Sequence, residues 1–439
     1  MKKYDSYKDS GIEWIGEIPT HWEIKKVKHR CYVKARVGWK GLKSDEFLNE
    51  GYAYLVTGSD FKNDKVNWRE CYHINKERYD EDPYIQLKKG DLLITKDGTI
   101  GKLAIVYNLD KPACLNSGIF VVRSTKEDFS TEFLFWVLKS RIFTQFNDYT
   151  SYGSTIQHLY QNVFMEFSYT LPTLKEQTAI ANYLDEKTGE IDEIIADKKR
   201  LIELYEEEKN AIINKAVTKG INPDAPMKDS GIEWLDEIPE HWEVKKTNWC
   251  FECIGSGTTP KSDKEEYYNG EINWLLTGDL NDSDIYETSK KITQKAIDDY
   301  SSLRIYPSES IVMAMYGATI GKLGILRVET TVNQACCVLS KPIKLYYQFA
   351  FYLLLAARPE IINMSYGGGQ PNISQELIKS FKVQIPPTEE QQSIVEHIEA
   401  ECSRIDFKIE RTKELIELLQ EYRTALINEV VTGKVKVID

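Results

Sequence analysis

Two stretches of this 439-residue chain carry the same spacing of apolar positions. In the second, Ile398, Cys402, Ile405, Ile409, Thr412, Ile416, Leu419, Arg423, Leu426 and Val430 alternate by four and three. Moved back 214 residues, the same register reads Leu184, Thr188, Ile191, Ile195, Lys198, Ile202, Tyr205, Lys209, Ile212 and Ala216. Each stretch predicts a long helix with a heptad seam. Neither seam can be buried alone, so the economical arrangement packs the two helices on each other. A two-fold relation between halves would require them to run antiparallel. The other readings pack each stripe on its own globular body or use it to drive a dimer. Polar seam residues such as Lys209 and Arg423 would fix register at some cost in stability.

Outside these helices the pattern shortens to strand-like runs bounded by Gly and Asp. Residues 53–56, 92–94, 105–107, 119–122 and 167–171 read as strands in a first body, with one helix over 132–146. A second body repeats the plan, with strands at 274–277, 310–315, 324–327, 336–339 and 383–385 and a helix over 346–357. The longest apolar run, residues 345–357, is too short to span a bilayer and suits a buried helix.

The repetition extends to the letters. Residues 8–26, KDSGIEWIGEIPTHWEIKK, return at 228–246 as KDSGIEWLDEIPEHWEVKK. Thr99-Ile100-Gly101-Lys102 answers Thr319-Ile320-Gly321-Lys322, and Glu176-Gln177 answers Glu390-Gln391. The chain is therefore two copies of one unit. Trp14, Trp22, Trp234 and Trp242 hold equal places in the copies and read as packing anchors. His21 and His241, beside them, read as structural or as partner contacts. The loops differ freely: Gly257-Thr258-Thr259-Pro260 has no close match in the first body. A repeated scaffold with divergent loops suits two related but different recognition tasks.

A net charge of −12 argues at first against a nucleic-acid partner. Its distribution weakens that argument, because the two helical segments hold eight of the twelve excess negative charges. Residues 25–43 carry Lys25, Lys26, Lys28, Arg30, Lys34, Arg36, Lys40 and Lys43 with no acid, and Tyr32 and Trp39 among them. That is either a phosphate-facing patch or a solvated basic turn. Eight cysteines fit structural thiols in a reducing compartment. The Cys250/Cys253 pair lacks the further ligands a zinc site needs. With no signal-like apolar segment at the N-terminus, the expected location is cytoplasmic.

Catalytic motifs do not assemble. The Gly-Lys turns at 98–102 and 317–322 have their glycines too close for a P-loop, and Leu follows where Ser or Thr would hold magnesium. Glu23-x-Lys25 and Glu243-x-Lys245 lack a suitably placed Asp on a preceding strand. No G-x-S-x-G, HExxH or dinucleotide fingerprint occurs. No catalytic residues, resident cofactor or metal are expected, and the chain reads as a non-enzyme.

Taken in this order and twice over, the residues resemble the specificity (S) subunit of type I restriction-modification systems. The carriers are the doubled DSGIEW…IP.HWE opening, Gly257-Thr258-Thr259-Pro260…Gly270-Glu271-Ile272-Asn273-Trp274, the doubled Thr-Ile-Gly-Lys turn, Asn333-Gln334-Ala335, residues 367–370, and the doubled Pro…Glu-Gln start of a long helix. The first body departs from the pattern: Asn116-Ser117-Gly118 stands where the second has Asn333-Gln334-Ala335.

The resemblance implies an α+β fold. Two globular mixed α/β target-recognition domains (1–173 and 220–387) would be separated by two long antiparallel coiled-coil helices (174–219 and 388–439) in a pseudo-two-fold internal repeat. It implies double-stranded DNA as partner, one half-site of a bipartite asymmetric target per domain. It also implies two docked methyltransferase (M) subunits using S-adenosylmethionine for adenine-N6 methylation. Restriction (R) subunits would use ATP and Mg, and no membrane is involved. Candidate DNA contacts are Lys34, Arg36, Lys40, Lys43, Lys62, Lys96, Lys102, Tyr152, Ser154 and Gln157 in the first body. In the second they are Thr258, Thr259, Lys261, Tyr316, Lys322, Tyr366, Gln370 and Asn372. Cations would meet phosphate, and polar side chains base edges. A two-headed coiled-coil scaffold binding other proteins is the alternative; a nucleotide-dependent enzyme would rest on the Gly-Lys turns alone.

Overall fold

The computed structural model describes residues 2–36, 42–43, 46–150, 158–232, 234–365 and 372–438. The chain divides into two units, Met1–Lys199 with Lys413–Asp439, and Arg200–Thr412. Each combines one globular body with parts of both long helices.

In the first unit a six-stranded sheet runs in the order Cys31–Lys34, Ile119–Ser124, Leu92–Thr95, Leu103–Ile105, Lys65–Val66, Phe61–Lys62. Its strand Leu92–Thr95 is buried at every residue. Leu93 lies opposite Val121 on one side and Ala104 on the other, both antiparallel. A three-stranded sheet, Ala113–Leu115, Ala53–Val56, Tyr72–Ile74, closes the core. The helix expected over 132–146 is two, Thr131–Lys139 and Arg141–Thr150. Ser140 between them is extended, and its hydroxyl donates to the Val137 carbonyl at 2.6 Å. The break turns Phe143 and Phe146 onto Phe167, with ring centroids 5.3 and 5.0 Å apart.

The second unit repeats the scaffold with a five-stranded sheet, Phe251–Gly255, Cys336–Pro342, Ile311–Ala314, Leu323–Leu326, Ser283–Ile285. A three-stranded sheet places Tyr268–Leu275 between Lys291–Ile292 and Thr331–Val332. The strand expected at 274–277 is thus the end of a longer one. The apolar run of 345–357 is a buried helix, as its composition predicts. That helix, Tyr347–Asn363, continues through Pro359.

The heptad stripes become the helices Leu174–Lys219 and Thr388–Val431. All the predicted seam positions are buried or half-buried. Within the second unit Lys209 pairs with Asp406 and the Lys408 ammonium lies 5.1 Å from the Tyr205 ring centre. Within the first, Arg423 pairs with Asp192. Later residues of one helix meet earlier residues of the other, so in each unit the two helices run antiparallel, as a shared seam requires. Among the described residues no helix is long and apolar enough to cross a membrane.

The near-identical stretch explains itself as a socket for helix ends. In the first unit, Tyr7–Asp9 pairs with Glu17–Pro19, and Ile18 and Trp22 are fully buried. Trp22 Nε1 donates to Glu176 Oε1 at 3.1 Å, and His21 Nε2 lies 2.9 Å from the same oxygen. Burial would raise the Glu176 carboxyl, but His21, Trp22 and Thr173 outweigh it and hold it below its usual range. Gln177, buried, accepts from Ser130 N–H at 2.8 Å and donates to the Asp128 and Pro172 carbonyls. The second unit uses His241 on Glu390 at 2.7 Å. Buried Gln391 there accepts from Tyr346 N–H and donates to the Lys344 and Pro386 carbonyls. Each glutamine therefore fastens the start of a long helix to the residue that caps a body helix.

The same sockets grip the end of the other helix. Thr170 Oγ1 donates to the Val431 carbonyl at 2.6 Å, and its repeat counterpart Gln384 donates through Nε2 to the Val217 carbonyl at 2.7 Å. These are the orphan carbonyls of a helix C-terminus, satisfied here inside the core. Gly433 follows the helix with φ +74°, and a Cβ there would sit 2.5 Å from the Pro19 ring. The four doubled tryptophans pack as anchors: Trp22 and Trp242 are buried, Trp14 lies against Tyr149, and Trp234 stacks on Phe381.

Candidate nucleic-acid interface

In each body three segments converge at one end of the central strand. In the first, Thr95 N–H donates to the Lys102 carbonyl, Lys96 N–H to the Gly118 carbonyl, and Leu159 N–H to the Lys96 carbonyl, at 2.9–3.0 Å. In the second, Ala314 N–H donates to Lys322, Met315 N–H to Ala335, and Ile373 N–H to Met315, at 2.8–2.9 Å. The Thr-Ile-Gly-Lys turn, the Asn-containing segment and a returning segment thus meet twice in the same pattern.

Different side chains occupy the two strand ends. In the first body Lys96 pairs with Asp97 at 3.0 Å, and Asp97 also holds His158 Nδ1. The exposed Tyr160 ring lies 4.5 Å from His158. Lys102 is exposed, its backbone N–H bonded to Thr95 Oγ1. In the second body Thr259 Oγ1 donates to Gln334 Oε1 at 2.6 Å, joining the Gly-Thr-Thr-Pro segment to Asn333-Gln334-Ala335. Gly257 N–H reaches the Asn333 carbonyl. A Cβ at Gly257 would lie 1.7 Å from the Val332 carbonyl oxygen, so only glycine fits that approach. Thr258 is half-buried and accepts at its carbonyl from Trp274 Nε1, and exposed Asn372 precedes the returning Ile373. Tyr316 is half-buried against the core.

The remaining candidates separate. Lys34 is exposed on the first strand opposite Val121. Lys43 is exposed, its N–H on the Glu46 carboxylate. Lys62 stands on the edge strand, 3.9 Å from Glu70. Lys261 is exposed, its N–H on the Tyr300 hydroxyl. Lys40, Tyr152, Ser154, Gln157, Tyr366 and Gln370 lie outside the described residues. Arg36 is turned inward at 3 % exposure, its Nε on the Leu115 carbonyl at 3.0 Å and its Nη2 on Cys114 Sγ. An inward guanidinium cannot face a duplex, so Arg36 is a structural residue in this fold.

The basic stretch is also less bare than its letters. Lys25 pairs with Glu23, Lys26 and Lys28 with Glu166, and Arg30 with Asp128. The lysines beside Glu166 bring its carboxyl down to about 2. The partners of Lys26, Lys28 and Arg30 lie far away in sequence, where spacing gave no sign of them. The same holds for Asp97–His158. All eight cysteines are free thiols, seven of them buried, and burial pushes Cys250 up to about 11.

A family model of the type I restriction modification DNA specificity domain matches residues 19–204 and again 239–418. The chain belongs to that family. It is a type I restriction-modification specificity subunit, a recognition component rather than a catalytic one. The type I restriction enzyme MjaIX specificity subunit of Methanocaldococcus jannaschii is 24% identical over 443 residues, covering 96% of this subunit and 95% of that one. A solved chain from work on complex assembly and conformational transition of the type I R-M system has TM-score 0.71 at 16% identity, over 95% of this chain and 99% of that one. The HsdS subunit of Thermoanaerobacter tengcongensis has TM-score 0.58 at 15% identity, over 95% and 98%. The specificity subunit therefore shares their fold, and its two family matches fall one on each copy of the repeat.

Proposed function

We propose that each body reads one half of a split, asymmetric double-stranded DNA target, with residues 1–173 and 220–387 as the two target-recognition domains. What supports this is the doubled strand end: one backbone pattern carries Lys96, Asp97, His158 and Lys102 in one copy and Thr259, Gln334, Lys322 and Asn372 in the other. Cations there would take phosphate oxygens, and the amides and hydroxyls base edges. The proposed contact set is Lys34, Lys40, Lys43, Lys62, Lys96, Lys102, Tyr152, Ser154, Gln157, Thr258, Thr259, Lys261, Tyr316, Lys322, Tyr366, Gln370 and Asn372.

The partners follow from the same reading. Two methyltransferase subunits, carrying S-adenosylmethionine, would dock on the acidic faces of the helices at 174–219 and 388–439. Restriction subunits would supply ATP- and Mg-dependent translocation and cleavage, all in the cytoplasm. The test is a methylome read by single-molecule sequencing in a host carrying the methyltransferase, with and without this chain. Adenine methylation at one split motif only in the presence of the chain is the expected result. Exchange of residues 8–172 or 228–387 for those of a relative should change one half of the motif each. Methylation that ignores the chain would reject the reading in favour of a protein-binding scaffold.

A further inference from the structure

Beneath the Thr-Ile-Gly-Lys turn each body carries the same three charges, a feature with no signature in sequence spacing. An aspartate in the left-handed region, Asp64 at φ 61° and Asp282 at φ 65°, precedes the strand that runs parallel to the strand leaving the turn. A cation from the body helix reaches it: Lys139 on Asp64, Arg358 on Asp282. The third charge is the turn lysine, Lys102 or Lys322. A left-handed aspartate costs backbone energy, and both copies keep it in the same place with the same kind of partner.

The two copies are wired differently. In the second, Lys322 Nζ lies 3.1 Å from Asp282 Oδ2, and the Leu323 N–H also donates to that carboxylate at 2.9 Å. Burial would raise the Asp282 carboxyl, but Leu323, Arg358 and Lys322 outweigh it and hold it below its usual range. In the first, Asp64 is engaged by Lys139. Lys102 shares with both a cavity of about 340 Å³, and its ammonium has no hydrogen bond or ion pair among the described residues.

We propose that Lys102 and Lys322 are both backbone-phosphate contacts, the first without a carboxylate partner among the described residues and the second latched on Asp282. This rests on the DNA-reading function above. A phosphate arriving at the first body meets an ammonium that no carboxylate among the described residues holds. At the second it must draw Lys322 off a carboxylate that Arg358 goes on neutralising. The first body therefore supplies more of the sequence-independent affinity, and the second engages fully only where base contacts add to the pull.

The test is binding of the full chain to a random-sequence duplex between about 50 and 200 mM salt, where each lost phosphate contact shrinks the fall in affinity roughly three- to fourfold. Lys102→Ala should show that change in full and Lys322→Ala a smaller one. Asp282→Asn, which keeps an acceptor for the Leu323 N–H, should tighten binding and make a second change of Lys322 to Ala as costly as Lys102→Ala. If Asp282→Asn fails to fold, the comparison of the two lysine variants decides alone. Equal effects of the two lysines would overturn the latch, and salt slopes unchanged by either would overturn the phosphate contacts. Absence of DNA binding by the unsubstituted chain would instead overturn the DNA-reading function, and this inference with it.

Discussion

Lys209 and Asp406 meet across the helix pair of the second unit, with the ammonium 2.7 and 2.9 Å from the two carboxylate oxygens. Shifting both partners by the 214-residue repeat gives Arg423 and Asp192. These meet in the first unit, with Nε 2.9 Å from Oδ1 and Nη2 3.1 Å from Oδ2. One interaction is thus made twice, by two seam cations at equivalent places in the repeat.

Lys209→Asp should lower the stability of the second unit by only about 0.2–1 kcal/mol, because the Asp406 carboxylate is solvent-facing and screened. Asp406→Lys added to it should restore most of the loss. A double-mutant cycle by thermal unfolding at low and high salt checks this, and the coupling should shrink in high salt.

The two socket glutamines should be far more sensitive. Gln177→Ala or Gln391→Ala strips three hydrogen bonds and leaves buried backbone groups unpaired, at a cost of about 2 kcal/mol or more. Urea unfolding should show the transition of the affected unit moving to lower denaturant, while helix content before the transition stays unchanged.

Acid should loosen the first socket in a defined window. The Glu176 carboxyl is depressed in the folded state, so its contribution is fully present above the unfolded glutamate value of about 4.3. It is lost as pH falls through the lower folded value. Glu176→Gln should flatten the acid limb of stability against pH below about pH 5 and leave the neutral region lower throughout.

Gly257→Ala should disable the second strand end, since its Cβ would overlap the Val332 carbonyl oxygen. Displacing either backbone separates Thr259 from Gln334. In the methylome the second half-site should relax or disappear while the first half persists under a swap of the second body.

What sequence revealed was what repeats along it. The seam is periodic, so Ile405, Ile409 and Leu184 announce their burial by spacing. The Glu-Gln pairs stand out because they occur twice, although only the fold shows that each clasps a body helix. What remained hidden depends on contacts far apart in the chain. Nothing in the basic run from Lys25 foretells Glu166 or Asp128. Arg36 looks like its neighbours until the strand brings it beside Cys114. Ser140, between Lys139 and Arg141, carries no helix-breaking letter and still ends a helix, beyond which Phe143 and Phe146 pack on Phe167. Asp64 and Asp282 lie in loops of different length, which conceals their equivalence.

The crossed grip of the sockets bears on how such a chain can change. Each body fastens to the helices through a small set of residues that recur in both copies: tryptophan, glutamate, glutamine and a closing glycine. The side chains at the strand ends take no part in that joint. Paired genetic crossovers within residues 8–26 and 228–246 would therefore exchange the first reading head with its helix, one within 228–246 alone the second, and each would rebuild the same joint. New specificity can then be acquired by trading heads in one event, without an intermediate whose helices no longer fit.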